Sequence, residues 1–438
     1  MRPVVAIVGR PNVGKSTLFN RLAGKRLAIV HDMPGVTRDR NYTDTLLGGR
    51  EIMLVDTGGF DPEDEDPMRQ GIARQVRAAI AEADVVVAVL DGTAPPAHAD
   101  REAVQLLRQS DKPVLYVANK SDDKGRALEA NELYEMGLDH LIPVSALHGR
   151  GIAELTEAVV NALPPRPSEE PESDDDGVIR VALIGRPNAG KSSLVNRIAG
   201  GERSLVDDRP GTTRDPVDTR VEIDGQAYSI VDTAGIRRKT RVEKGIEGAS
   251  VLRAIRSMER ADVVIVLCES TEGITEQDAR LLGLCAERGR AIVVGLNKVD
   301  LLDKKGRKKA EEGVRDALRF APWAPIVQIS AKTGYGLRDL MATVKKAGNE
   351  FHRRVPTGEL NRFFEEVVEH RSPPIHKGRA PRIYYITQAE SAPPVFIAVT
   401  NAPEHIKESY RRYVMNQIRQ SFGFECIPID LRFRAKRK

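Results

Sequence analysis

Eight residues, Gly9-Arg10-Pro11-Asn12-Val13-Gly14-Lys15-Ser16, recur with one substitution as Gly185-Arg186-Pro187-Asn188-Ala189-Gly190-Lys191-Ser192. Both fit G-x-x-x-x-G-K-[ST], a spacing in which glycines let backbone amides curl around phosphate oxygens, the lysine reaches the outer phosphates and the hydroxyl faces magnesium. Thr17 and Ser193 follow directly. Apolar runs at 4–8 and 181–184 read as strands leading into each loop, and the residues after each loop read as a helix whose positive N-terminal end adds to the phosphate grip.

A shift of 176 residues carries the first loop onto the second, and it carries two further motifs in register. Thr37, in Pro34-Gly35-Val36-Thr37-Arg38-Asp39, falls on Thr213, and Asp56-Thr57-Gly58-Gly59 falls on Asp232-Thr233-Ala234-Gly235. Asn119-Lys120-Ser121-Asp122 answers to Asn297-Lys298-Val299-Asp300, and Ser145-Ala146 to Ser330-Ala331. The length differences fall late in each copy, where loops tolerate change and strands do not. A whole domain is duplicated.

The five motifs divide one task. Asp56 and Asp232 end apolar strands and can hold magnesium through water, while Gly59 and Gly235 leave room for a backbone N–H at the γ-phosphate. Thr37 and Thr213 sit on loops that reach the metal only when that phosphate is present, which makes them switch elements. Lys15, Thr37 and Gly59, with Lys191, Thr213 and Gly235, are therefore the candidate catalytic residues. The carboxylates of Asp122 and Asp300 can accept from N1–H and the 2-amino group of guanine. Adenine offers no such donors, so the ordered set selects GTP over ATP. Asn119 and Asn297 tie this loop back to the phosphate loop, and the Ser-Ala segments can present N–H groups to guanine O6.

These motifs require two α/β domains, each a doubly wound sheet with helices on both faces, at 1–163 and 178–350. Between them, 164–177 is Pro-rich with six acids and reads as a linker. A third region, 351–438, shows a helix–strand–strand–helix–strand order, with strand-like runs at 382–387, 395–400 and 425–433 and helical pattern at 404–421. It carries 16 Lys/Arg against 9 Asp/Glu, whereas the rest of this +4 chain is net acidic. The longest strongly apolar stretches, 85–90 and 263–268, are far short of the ~20 residues a bilayer needs. Three cysteines are too few and too scattered for a disulfide framework or metal site. A cytoplasmic monomer is expected, partnered by neither membrane nor DNA.

At these residues the chain resembles the translation-factor-related GTPases, and its tandem plan is similar to the bacterial Der (EngA) family of ribosome-assembly GTPases. Nearly the whole chain is covered, with 351–438 resembling that family's KH-like domain, although the G-x-x-G loop of ordinary KH modules is missing. The resemblance implies a GTP/GDP switch acting in assembly and stability of the large ribosomal subunit, with that subunit and its rRNA as partners. Alternatives are a nucleotide-dependent RNA-binding scaffold with one regulatory copy, and a GTPase of tRNA modification. Where Ras-type relatives place a water-orienting glutamine, this chain has Phe60 and Ile236. The resemblance supplies a substitute: Asn12 and Asn188 match the asparagine that helps hold a potassium ion beside the phosphates; the simpler reading is that each only shapes its loop. Arg411, Arg412, Arg419, Arg432, Arg434, Lys436, Arg437 and Lys438 offer phosphate-compatible charge or form a solvated basic tail. If potassium assists, hydrolysis rates should be higher in KCl than in NaCl at equal ionic strength, and equal rates would exclude it.

Overall fold

The computed structural model describes residues 2–24, 42–57, 76–77, 79–81, 83–121, 131–138, 140–165, 177–200, 205–206, 218–233, 247–374 and 381–436. Two compact units account for the chain.

In the first unit, six strands lie in the order β2-β3-β1-β4-β5-β6. These are β1 (Val4–Val8), β2 (Tyr42–Leu47), β3 (Arg50–Asp56), β4 (Val85–Asp91), β5 (Val114–Asn119) and β6 (Leu141–Pro143). Only β2 runs antiparallel, against β3. β4 is buried along its whole length, as a central parallel strand with both faces covered must be. Val85, Val87 and Val89 pack with Leu155 and Val159 of the helix Ile152–Ala162, whereas Leu90 and Ala118 pack with Val104 of the helix His98–Arg108. The sheet is thus doubly wound. The chain turns outward on both sides of β1, and such a switch point opens a crevice at the C-terminal strand ends.

The second unit repeats this plan. β7 (Ile179–Ile184), β9 (Thr219–Ile223), β10 (Gln226–Val231), β11 (Val263–Glu269), β12 (Ala291–Asn297) and β13 (Ile326–Gln328) take the places of β1 to β6, and the two-residue β8 (Leu205–Val206) pairs with β9 at the sheet edge. Its helix Glu276–Glu287 is started by a capping box, in which Thr275 and Asp278 satisfy each other's backbone amides.

The same unit contains a three-stranded sheet, β14 (Ile383–Ser391), β15 (Pro394–Thr400) and β16 (Asp430–Ala435), with β15 central. The helices Thr357–His370 and Glu408–Phe422 bury Leu360, Phe364 and Val367, and Tyr410, Val414 and Ile418. Two sequence expectations shift here. Lys407 is extended, so the long helix starts at Glu408 after a separate 3-10 turn at Pro403–His405. Residues 425–429 do not belong to the last strand, which begins at Asp430.

The reason is that 424–429 are held by the second nucleotide-type domain. Glu350, at the end of the helix Leu337–Phe351, accepts from the Glu425 and Cys426 amides at 2.8 and 3.4 Å, and the Ile292 amide of β12 donates to the Cys426 carbonyl at 2.9 Å. Burial pushes the Cys426 thiol up to about 12. Arg419 lies over the Trp323 ring at 5.1 Å and donates to the Phe424 carbonyl, so it is an interface residue rather than a phosphate ligand. One apolar core runs unbroken from Val181 and Val293 through Val344, Phe351 and Val355 to Leu360, Phe396 and Leu431. Phe351→Ala should therefore cost about 3–5 kcal/mol in denaturant titration of the full chain. A loss below about 1 kcal/mol, the range of a surface change, would contradict a shared core.

Candidate functional site

Each glycine-rich loop follows the first strand of its sheet and runs into a helix, Lys15–Ala23 or Lys191–Ala199. Gly9 (φ 151) and Gly185 (φ 148) open the loops against a neighbouring strand: a Cβ there would sit 2.4 Å from the Val89 carbonyl oxygen or 2.5 Å from that of Leu267. Only glycine permits this approach. At the crest, Asn12 (φ 66) and Asn188 (φ 64) take the left-handed conformation and are exposed, with Pro11 and Pro187 beside them.

Lys15 is buried, and its Nζ donates to the Arg10 carbonyl at 2.9 Å. Burial pushes its pKa down, partly offset by the Asp56 carboxylate. Lys191 Nζ donates to the Gly185 and Arg186 carbonyls at 2.6 and 2.5 Å. Ser16 Oγ donates to Asp56 Oδ2 at 2.8 Å, so the helix start and the end of β3 bring two hard oxygens together beside the loop. Thr57 hydrogen-bonds the Ile7 carbonyl, and Asp232 and Thr233 follow β10 in the corresponding place.

The base-side motif is fastened to the phosphate loop identically in both copies. Buried Asn119 donates from Nδ2 to the Val13 carbonyl at 2.7 Å and accepts at Oδ1 from the Ala146 amide at 3.0 Å. Asn297 does the same with Ala189 and Ala331, at 2.7 and 3.0 Å. The Ser145 and Ser330 amides donate to the Arg150 and Tyr335 carbonyls, and the alanine amides to the asparagines, so both amides of each Ser-Ala pair are engaged within the protein. The physical cause is that one carboxamide both donates and accepts, closing three loops on itself.

Lys120 and Lys298 (φ 69 and 64) fold back to Asp91 and Glu269 at 2.7 and 2.6 Å. Burial raises Asp91, but hydrogen bonds from Lys120 and Thr93 outweigh it and hold the carboxyl below its usual range. The Lys298 hydrogen bond does the same for Glu269. Ser121 Oγ donates to the Ala118 carbonyl at 3.0 Å, and Val299 is buried. Asp300 is exposed, and a hydrogen bond with Ser330 holds its carboxyl below the ordinary value, ready to accept at neutral pH. Thr37, Gly58, Gly59, Phe60, Asp122, Thr213, Ala234, Gly235 and Ile236 lie outside the described residues.

Sequence reasoning named Arg10 and Arg186 but not their partners, nor Arg21 and Arg197. Arg10 pairs with Asp100 at 3.2 Å, as Arg186 does with Asp278 at 3.0 Å. Arg21 and Arg197 donate to the Ala146 and Ala331 carbonyls at 3.0 and 3.4 Å. The available signal was recurrence across the duplication, since Arg10, Arg21, Arg186 and Arg197 are related by the same shift of 176.

Against this geometry, a family model described as 50S ribosome-binding GTPase matches residues 4–120 and 180–298. Another, described as the C-terminal KH-domain-like region of EngA bacterial GTPase enzymes, matches 354–434. Three relatives called GTPase Der align with the entire chain: that of Symbiobacterium thermophilum is 48% identical over 100% of this chain and 93% of its own length. Those of Moorella thermoacetica and Geobacter sp. (strain M21) are 47% and 45% identical, each over 100% of this chain and 99% of the relative. The chain belongs to the GTPase Der family. As a Der-family member it is a GTP-hydrolysing enzyme with two P-loop GTPase domains and a KH-like C-terminal domain.

Asp300→Asn replaces one acceptor with a donor, which suits the 2-oxo group of xanthine instead of the 2-amino group of guanine. With site one silenced by Lys15→Ala, this change should weaken binding of fluorescent GTP about 100-fold, as expected when charge-assisted bonds of about 1.5–3 kcal/mol are lost, and should improve binding of the xanthosine analogue. Unchanged preference would remove Asp300 from base recognition.

Proposed function

We propose that this enzyme is a GTP-driven switch acting in the cytoplasm on assembly and stability of the large ribosomal subunit, as a monomer, with both nucleotide sites active. The observation that carries the reading is the unbroken core between the second GTPase domain and the KH-like domain, which gives the nucleotide-binding machinery a rigid platform for a ribosomal partner. The description 50S ribosome-binding GTPase, attached to the model matching both GTPase domains, supports the choice of subunit.

The KH-like domain lacks the G-x-x-G clamp but carries a different anionic-partner surface. A register shift in β14 between Ile383 and Tyr385 leaves consecutive tyrosines, Tyr384 and Tyr385, 43% and 47% exposed. Arg382 and Lys436 lie 5.7 and 5.2 Å from the centre of the Tyr384 ring, and exposed Arg434 stands opposite Val399 in β15, which in turn pairs with Tyr385. Aromatic faces beside cations suit rRNA, whose bases stack and whose phosphates are neutralised. Arg432 contributes less, being paired with Asp430 at 2.6 Å.

In each site the loop amides and Lys15 or Lys191 hold the outer phosphates. The paired oxygens of Ser16 and Asp56, 2.8 Å apart, fit a hard cation, and Ser192, Asp232, Thr37 and Thr213 complete the two magnesium sets proposed here. Magnesium, when bound, supplies neutralisation of charge on the β- and γ-phosphate oxygens. Thr37, Gly59, Thr213 and Gly235 orient the γ-phosphate end, with no glutamine after either motif to place water. The exposed carboxamides of Asn12 and Asn188 are the groups that would be offered to potassium.

Sedimentation with ribosomal particles tests the reading directly. The chain should travel with the large subunit when loaded with a non-hydrolysable GTP analogue and separate from it with GDP, and Lys15→Ala and Lys191→Ala should each remove the turnover of its own site. Identical sedimentation in both nucleotide states would refute the switch.

A further inference from the structure

In the second GTPase domain, the residues flanking two motif-bearing segments are tied together by side chains, one of which, Asp218, is replaced by Tyr42 in the first domain. Asp218 accepts at Oδ1 from the Asp232 backbone amide, 2.9 Å away. Its Oδ2 pairs with Arg260 at 2.6 Å, the last residue of the helix Glu247–Arg260. One position further, the hydroxyls of Thr219 and Thr233 are 2.7 Å apart. Residues 218 and 219 follow the segment that contains Thr213, and 232 and 233 precede the segment that contains Gly235. These four residues flank both segments in sequence and form their common root.

The root also holds a strained backbone. Asp232 lies in the left-handed region (φ 57), a conformation that a residue with a side chain keeps only when its surroundings enforce it. The Asp218–Arg260 pair is largely shielded, with side chains 12% and 24% exposed, so it is less screened than a surface pair. In the first domain the shift of 176 places Tyr42 and Thr43 at the root, and Thr43 and Thr57 turn their hydroxyls to the Asp44 and Ile7 carbonyls instead. Asp56 does not share the left-handed conformation of Asp232.

We infer that Asp218 is a positioning residue of the second GTP site. It fixes the Asp232 backbone, and hence the direction in which that carboxylate faces the phosphates, and it hands the same constraint to the end of the helix Glu247–Arg260. Rotation of Asp232 out of its left-handed state breaks the bond to Asp218 and loosens Arg260; displacement of the helix end pulls on Asp232 through the same carboxylate. The second site thereby owns a mechanical connection built on a carboxylate, where the first copy has Tyr42. This inference rests on Asp232 belonging to the nucleotide site.

The test uses the full chain with Lys15→Ala, so that only the second site turns over. Asp218→Ala removes both bonds, whereas Asp218→Asn keeps an oxygen for the Asp232 amide and weakens only the pair with Arg260. Asp218→Ala should lower kcat about tenfold with KM for GTP within about twofold, the split expected when a transition-state arrangement is lost and ground-state binding is not. Without nucleotide, hydrogen exchange in the peptide spanning 227–233 should accelerate in Asp218→Ala. Asp218→Asn should restore most of both the rate and the protection. Unchanged kcat and exchange in Asp218→Ala, or an asparagine variant as damaged as the alanine one, would overturn the assignment. Lys191→Ala in the same background separates the two levels: it should abolish nucleotide binding and turnover, and if it does not, the site reading itself fails.

Discussion

One buried carboxamide organises each nucleotide site. Asn119 and Asn297 sit at the ends of β5 and β12 and bond simultaneously to the phosphate loop and to the Ser-Ala loop. Three loops that leave different strands are thereby fixed at one height above the sheet. The requirement reaches into the phosphate loop, since a Cβ on Gly14 or Gly190 would lie 2.3 Å from the asparagine Nδ2. The second glycine of the motif is thus demanded from two sides, by positive φ (92 and 100) and by the asparagine that holds the loop down. Phosphate recognition and base recognition share one polar knot, and the low-dielectric surroundings that make such a bond strong also make its loss expensive.

Duplication preserved that knot while the surroundings diverged. The partner of the motif lysine is Asp91 in one copy and Glu269 in the other, with the ion pair retained. Arg10 and Arg186 keep a buried carboxylate partner in each copy. Divergence shows at the start of β9, where Asp218 stands in place of Tyr42, and at the far end of the second sheet, where residues 424–429 of the KH-like domain bond to β12 and to Glu350. Chemistry is held constant at the C-terminal strand ends, while the opposite side of the second domain has become an attachment surface.

The sheets and phosphate loops were legible because their signals are local. Continuous apolar runs marked β4 and β11 to within one residue, and the spacing of glycines and lysine marked each loop. The contact between asparagine and phosphate loop was readable because the motif has a single structural solution. The bonds from the Ala146 and Ala331 amides to those asparagines were not, since they are decided by tertiary distances. Residues 425–429 were misread as strand for a related reason: Cys426, Ile427 and Ile429 are apolar because they enter a core that begins in another domain, and apolar pattern alone does not say which neighbour buries it. Arg419 looked like surface charge, and only the Trp323 ring beneath it shows otherwise.

The shared core also orders events during synthesis. Domains generally complete folding from the N-terminus as the chain emerges. The first GTPase domain has its described strands by Pro143 and its packing helix by Ala162, so it can close early. The second has its own sheet by Gln328, yet Phe424, Ile427 and Leu431, which line the same interior, follow only after β14 and β15. Until 424–431 are made, the nascent second half carries an uncovered apolar end, and that segment acts as its closing stopper.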